Sequence, residues 1–133
     1  MSEKSIALLE ELIKKSISAG ADAADAVWAQ DNSLSVTCRF GKLDEIQRSD
    51  ESIIGLRVFS GHRQAIVSSS DSSPDIFQNL VDQALEMARS VPEDEYIGLA
   101  TPDQLASKLS NIDSCDPNDI STDQLIEAAR EYP

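Results

Sequence analysis

The sequence has a single histidine, two cysteines and no long apolar run, and each shortage closes off a class of function. One histidine, His62, cannot supply a His-x-x-x-His pair, so these residues hold no zinc motif of the HExxH type. Cys38 and Cys115 lie far apart and form no CxxC spacing. A small secreted scaffold is normally stapled by more disulfides than two cysteines allow, so the expected compartment is the reducing cytoplasm. Glu3, Lys4, Glu10, Glu11, Lys14 and Lys15 interrupt the first apolar stretch, which excludes the apolar core of a secretion signal. Nothing approaches the run of about 20 apolar residues that spans a bilayer. Positive charge is scarce as well: 11 Lys and Arg stand against 24 Asp and Glu, a net charge of −13. That field repels phosphates and anionic lipid, so direct nucleic-acid and membrane binding are not expected. Aromatics are 5% of the residues, which leaves any core mainly aliphatic.

What is present is periodicity. A chain of 133 residues has the length of one domain with one core. Ile6, Leu9, Leu12, Ile13 and Ile17 follow helical spacing, with Glu10–Lys14 and Glu11–Lys15 paired at i, i+4, and Gly20 is the natural stop. From about Ala24 to Ser69 the period becomes two. Ala26–Ala29 reads as a first strand. Leu34, Val36, Cys38 and Phe40 share the buried phase of a second, and Gly41-Lys42 is the expected turn. A return through Leu43 and Ile46, the dense run from Ile53 to Phe59, a Gly61-His62 hairpin and Ala65-Ile66-Val67 complete the pattern. Hairpin-length links imply an antiparallel meander.

A second long helix follows, with Ser73 as its cap, Pro74 at N1 and the stripe Phe77, Leu80, Val81, Ala84, Leu85, Ala88, closed by Pro92. The predicted fold is therefore α+β: a meander of about four to five strands with two long helices on one face, then an irregular C-terminal segment. Residues 1–92 read as the α+β domain. Residues 93–133 read as a loop and short-helix extension leading to a larger C-terminal domain absent from this chain. Capping boxes stand at Thr101–Gln104, ahead of Leu105 and Leu109, and at Ser121–Gln124, ahead of Leu125, Ile126 and Ala129. The last of these opens a helix that needs something to pack on.

Candidate chemistry is thin. His62 would need a nucleophile, and Ser68–Ser70 on the paired strand are the candidates, against the plainer role of a turn histidine. The serine run Ser68–Ser73 has no glycine for phosphate approach and no G-x-S-x-G elbow, so loop and cap is its plain role. Asp113, Asp116 and Asp119, with Asn118, lack the spacing and the glycine of an EF-hand. Cys38 is expected in the core, and Cys115 in a polar loop. Trp28 is expected to pack in the core or at a strand edge. No catalytic, cofactor-binding or metal residue is assigned.

Several stretches in order carry a resemblance: Gly20-Ala21-Asp22-Ala23-Ala24-Asp25-Ala26, Gly41-Lys42-Leu43-Asp44-Glu45-Ile46, Gly55-Leu56-Arg57-Val58-Phe59, Gly61-His62-Arg63, Ser68-Ser69-Ser70-Asp71 and Val91-Pro92-Glu93-Asp94-Glu95-Tyr96-Ile97-Gly98-Leu99-Ala100. Together they resemble the N-terminal region of the TldD/PmbA family, closer to the PmbA (TldE) branch. The resemblance implies a PmbA/TldE-like subunit, the non-catalytic partner of a TldD-like subunit in a cytosolic metallopeptidase acting on peptides. Zinc is then expected only in the TldD-type partner, on a motif that no residue here matches. The family also bears the name modulator of DNA gyrase, which implies the other reading, an acidic module that binds gyrase or another basic protein without proteolysis.

Overall fold

The computed structural model describes residues 3–108 and 110–131, with side chains from Ser5 onward. The long elements are α1 (Glu3–Ser18), β1 (Ala23–Arg39), β2 (Lys42–Ser60), β3 (Arg63–Ser69), α2 (Phe77–Ser90) and α3 (Thr122–Glu131). The three strands form one sheet in the order β1-β2-β3, and β2 and β3 pair antiparallel from Ser60↔Arg63 to Ile54↔Ser69. The class is α+β, as expected, but four to five strands is corrected to three among the described residues. The polar stretches Gln30–Ser33 and Gln47–Glu51, which read as breaks, lie inside β1 and β2. Polar side chains on an exposed ribbon cost little when the neighbouring strand satisfies the backbone, so the strands run on through them.

The described residues divide into two compact units. One holds the residues up to Gln30 together with Ser52–Gln104; the other holds Asp31–Glu51 with the residues after Gln104.

The first unit contains the core. Because side chains alternate along a strand, Ile54, Leu56 and Val58 of β2 and Ala65 and Val67 of β3 share one face. They cluster with Leu12 of α1 and with Phe77, Leu80, Val81, Ala84, Leu85 and Ala88 of α2, the full stripe that the helical spacing predicts. α2 packs across β3 and α1 against α2. The stripe expected on α1 needs correction. Leu12 is buried, but Ile6 and Ile17 are 43% and 45% exposed, and the buried positions beside Leu12 are Ser5 and Ser16. The Ser16 hydroxyl donates to the Leu12 carbonyl at 2.9 Å, and that bond allows a serine to face the core. α1 closes as predicted, with Gly20 at φ +105° and the Ala21 N–H donating to the Ser16 carbonyl.

α2 is entered through a single 3-10 turn, Pro74–Ile76, and Ser73 makes no side-chain cap there. Asp71 serves that corner instead, its carboxylate accepting from the Ser73 N–H at 2.8 Å. This bond holds the exposed Asp71 carboxyl below the ordinary carboxylate range. Its contribution is therefore present above that range and is lost as the pH falls through the lowered value.

In the second unit the turn between β1 and β2 is Phe40-Gly41, at φ 51° and 71°, and not Gly41-Lys42. Two positive φ values are the pattern of a type I′ hairpin, whose usual residues are Asn-Gly. Phe40 therefore leaves the phase of Leu34, Val36 and Cys38, which stay half-buried, and is itself 97% exposed. Holding a bulky side chain in the left-handed region is costly, so Phe40→Asn is expected to raise stability by about 0.5–1 kcal/mol. A urea midpoint below wild type would contradict that assignment of the turn. The Ser121–Gln124 capping box forms reciprocally, at 2.9 and 3.3 Å, and opens α3. In the first unit, Thr101–Gln104 closes only a 3-10 turn, Pro102–Gln104. Leu109, expected to follow it, lies outside the described residues.

Candidate functional site

The alternation that sends Ile54, Leu56 and Val58 into the core sends Gly55 and Arg57 to the other face of the sheet. There, Asp25–Val27 of β1, Gly55–Arg57 of β2 and Ile66 of β3 line an open groove of about 280 Å³. Val27 and Ile66 are its apolar walls, each 62% exposed. Gly55 is its floor: a Cβ there would sit 3.1 Å from the Val27 Cγ1, so a larger residue would crowd the Val27 side chain and fill the strand face.

One end is closed by an ion pair. Arg57 donates from Nε to Asp25 Oδ1 at 2.9 Å and from its terminal nitrogen to Asp25 Oδ2, a two-pronged contact. The guanidinium also lies 5.1 Å from the centroid of the Phe59 ring. Hydrogen bonding to the Asp25 carboxylate raises the Arg57 pKa further above its already high value. On the arginine side the pair's contribution is thus fully present at neutral pH and is lost as the pH rises into strong alkali. Both side chains are partly exposed, so Arg57→Ala is expected to cost about 1 kcal/mol, read as a lower urea midpoint. A change indistinguishable from zero would show that solvent screens the pair completely. The groove offers apolar walls and satisfied charges. It can bind an extended or apolar group but presents no free nucleophile.

The sequence candidates do not converge. His62 is exposed in the β2–β3 turn, where its carbonyl accepts from the Asp94 N–H at 2.9 Å. Ser69 pairs with Ile54 at the opposite end of the same hairpin. The distance along β3 is about 20 Å at roughly 3.3 Å per residue, so a His62–serine pair is excluded geometrically. The Ser69 hydroxyl instead accepts from the Asp71 N–H at 3.0 Å. Asp116 organises its own loop by accepting from the Asn118 N–H and side-chain amide. Cys38 is half-buried and Cys115 exposed, both as free thiols. Trp28 packs against the core and donates to the Ser52 hydroxyl at 2.6 Å. Among the described residues no group of three or more His, Cys, Asp or Glu is placed to hold a metal, and no helix is long and apolar enough to cross a membrane.

The groove itself was missed. Its trace in the sequence is that Val27 and Ile66 are apolar at positions out of phase with the core, within two stretches whose pattern indicates only strands.

Comparison with known proteins places this arrangement. Residues 24–88, which contain every groove residue, match the family described as PmbA/TldA metallopeptidase domain 1. Metalloprotease PmbA of Escherichia coli O157:H7 is 28% identical over 125 residues, which are 92% of this chain and 28% of that protein. The Metalloprotease PmbA homolog of Haemophilus influenzae is 30% identical over 111 residues, 84% of this chain and 24% of that protein. The chain thus spans about a quarter of the length of these relatives. Two solved structures share the fold. A protein of Bacteroides thetaiotaomicron bearing the name modulator of DNA gyrase superposes with a TM-score of 0.76 at 16% identity, over 84% of this chain and 25% of its own. TldE of Thermococcus kodakarensis gives 0.65 at 15% identity, over 77% and 23%. Over residues 24–88, this chain matches the first domain of the PmbA/TldD family, and it is similar to two proteins that bear the PmbA name.

Proposed function

We propose that this chain is the N-terminal domain of a PmbA/TldE-like subunit, the non-catalytic partner of a TldD-like zinc subunit in a cytoplasmic peptidase. The observation that carries the reading is the family match over residues 24–88, together with two relatives that both bear the PmbA name. In this reading zinc belongs to the TldD-like partner, and no reaction step is routed through this chain. Its contribution is to enclose and hold substrate. β1 and β3 are the edges of the sheet, and an extended peptide can add to such an edge through main-chain hydrogen bonds.

The test is co-expression of the native gene product with the TldD-like subunit. The two are expected to co-elute in a fixed ratio, and peptide cleavage is expected to need both. Full cleavage by either subunit alone would overturn the reading. The net charge of −13 favours a second account, in which the acidic surface engages gyrase or another basic protein. Salt-sensitive binding to gyrase by the native protein, with no peptide cleaved in any combination, is the result that would select it.

A further inference from the structure

Among the described residues Phe40 is the most exposed of the large apolar side chains, and the backbone holds it in a conformation that bulky residues avoid. A fully exposed aromatic in the left-handed region is a local conflict, and such conflicts concentrate where a side chain must be presented to something else. Its neighbours repeat the anomaly in charge. Arg39 and Lys42 flank the turn, two of only 11 basic residues in a chain of net charge −13. Arg39 leans 3.4 Å from Asp44 but keeps 71% of its side chain in solvent. The tip of the β1–β2 hairpin is thus an aromatic knob with a cationic collar on an otherwise acidic protein. Asn-Gly would form the same turn without strain, so turn formation does not explain the phenylalanine.

We propose that this tip, Arg39-Phe40-Gly41-Lys42, is a docking element that inserts Phe40 into an apolar pocket rimmed by carboxylates on the partner subunit. The inference rests on the reading that the chain works beside a second subunit, and it names the element that makes the contact. An aromatic anchor in a pocket with a charged rim is the usual composition of an interface hot spot. A second copy of this chain would bring a further −13, and an anionic bilayer would meet the same repulsion, so a distinct protein surface is the favoured occupant.

The experiment uses the native gene product and its TldD-like subunit, with the complex titrated by calorimetry. Phe40→Asn removes the ring while relieving the turn, so folding is not the price of the test. It is expected to weaken the complex by about tenfold or more without lowering the melting temperature. Phe40→Tyr keeps the ring and is expected to bind within about threefold of wild type, whereas Lys42→Glu weakens binding and flattens its salt dependence. A Phe40→Asn protein that binds like wild type overturns the docking role and leaves the two-subunit reading standing. Absence of any wild-type complex overturns both. Phe40-dependent binding to phosphatidylglycerol vesicles, with the subunit affinity unchanged by Phe40→Asn, would assign the tip to a membrane and overturn the protein partner.

Discussion

Phe77→Ala is expected to cost about 3–5 kcal/mol, the largest single-residue loss of stability in this chain. Phe77 is 0% exposed at the first position of α2, where the 3-10 turn from Pro74 delivers the helix onto β3. Its ring meets the same cluster as Val81 and Leu12, which are likewise fully buried, so no neighbouring side chain can swing in from solvent to fill the space. The Lys15 ammonium lies 6.0 Å from the ring centroid, and truncation removes that contact too. Small domains hold about 5–15 kcal/mol in total, so the variant should be largely unfolded at modest urea. The check is a urea titration beside Ile66→Ala, a side chain of comparable apolarity on the open face, for which a change within about 0.5 kcal/mol is expected. Equal shifts in the two variants would mean that the core has been placed on the wrong face of the sheet.

That contrast marks how far periodicity reaches. The α2 stripe was legible residue by residue because helix signals coincided: a proline at N1, an acid beside it, six apolar positions in phase and a proline past the end. α1 was legible as a helix, but its buried face was not. Ser5 and Ser16 carry the core-facing positions there, and a serine that bonds back to the preceding turn leaves no hydrophobic signature. β1 and β2 were each read as two strands because polar residues on both faces look like loop when the pairing partner is unseen.

Phe40 shows a different failure. Alternation placed it inside with Cys38 and Val36, and only the φ of 51° reveals that the turn begins one residue earlier. A one-residue slip in the assumed turn moves the side chain from the end of the strand to the tip, because side-chain direction follows the pleat. The groove was hidden for a related reason: Gly55 sits in a run of apolar residues where the eye counts side chains, yet its significance is the side chain it lacks. The Asp25–Arg57 pair spans 32 residues and belongs to tertiary structure alone. Family resemblance, by contrast, was readable from ordered short motifs, none of which required the contacts to be known.

The proposed two-subunit function yields the sharpest functional expectation. In the two-subunit complex, a chelator is expected to reduce peptide cleavage by about two orders of magnitude or more, with recovery on adding zinc, because a catalytic metal supplies several kcal/mol of transition-state stabilisation. Removing His62 and Ser68–Ser70 together by alanine substitution should leave the rate within about twofold, since general acid–base or nucleophilic catalysis requires contact at hydrogen-bond range. β3 separates the histidine turn from the serines by its whole length, and the Ser69 hydroxyl is already engaged with the Asp71 N–H. The melting temperature of this chain alone should not move with chelator, as no metal-holding group exists among its described residues. The three measurements are separable. Loss of cleavage with chelator, at an unchanged rate for the alanine variant, puts the chemistry on a metal and outside His62 and Ser68–Ser70, as the two-subunit reading expects. A chelator-resistant activity that falls a hundredfold in the alanine variant would instead make this domain a serine-type catalyst, and the non-catalytic reading would have to be abandoned.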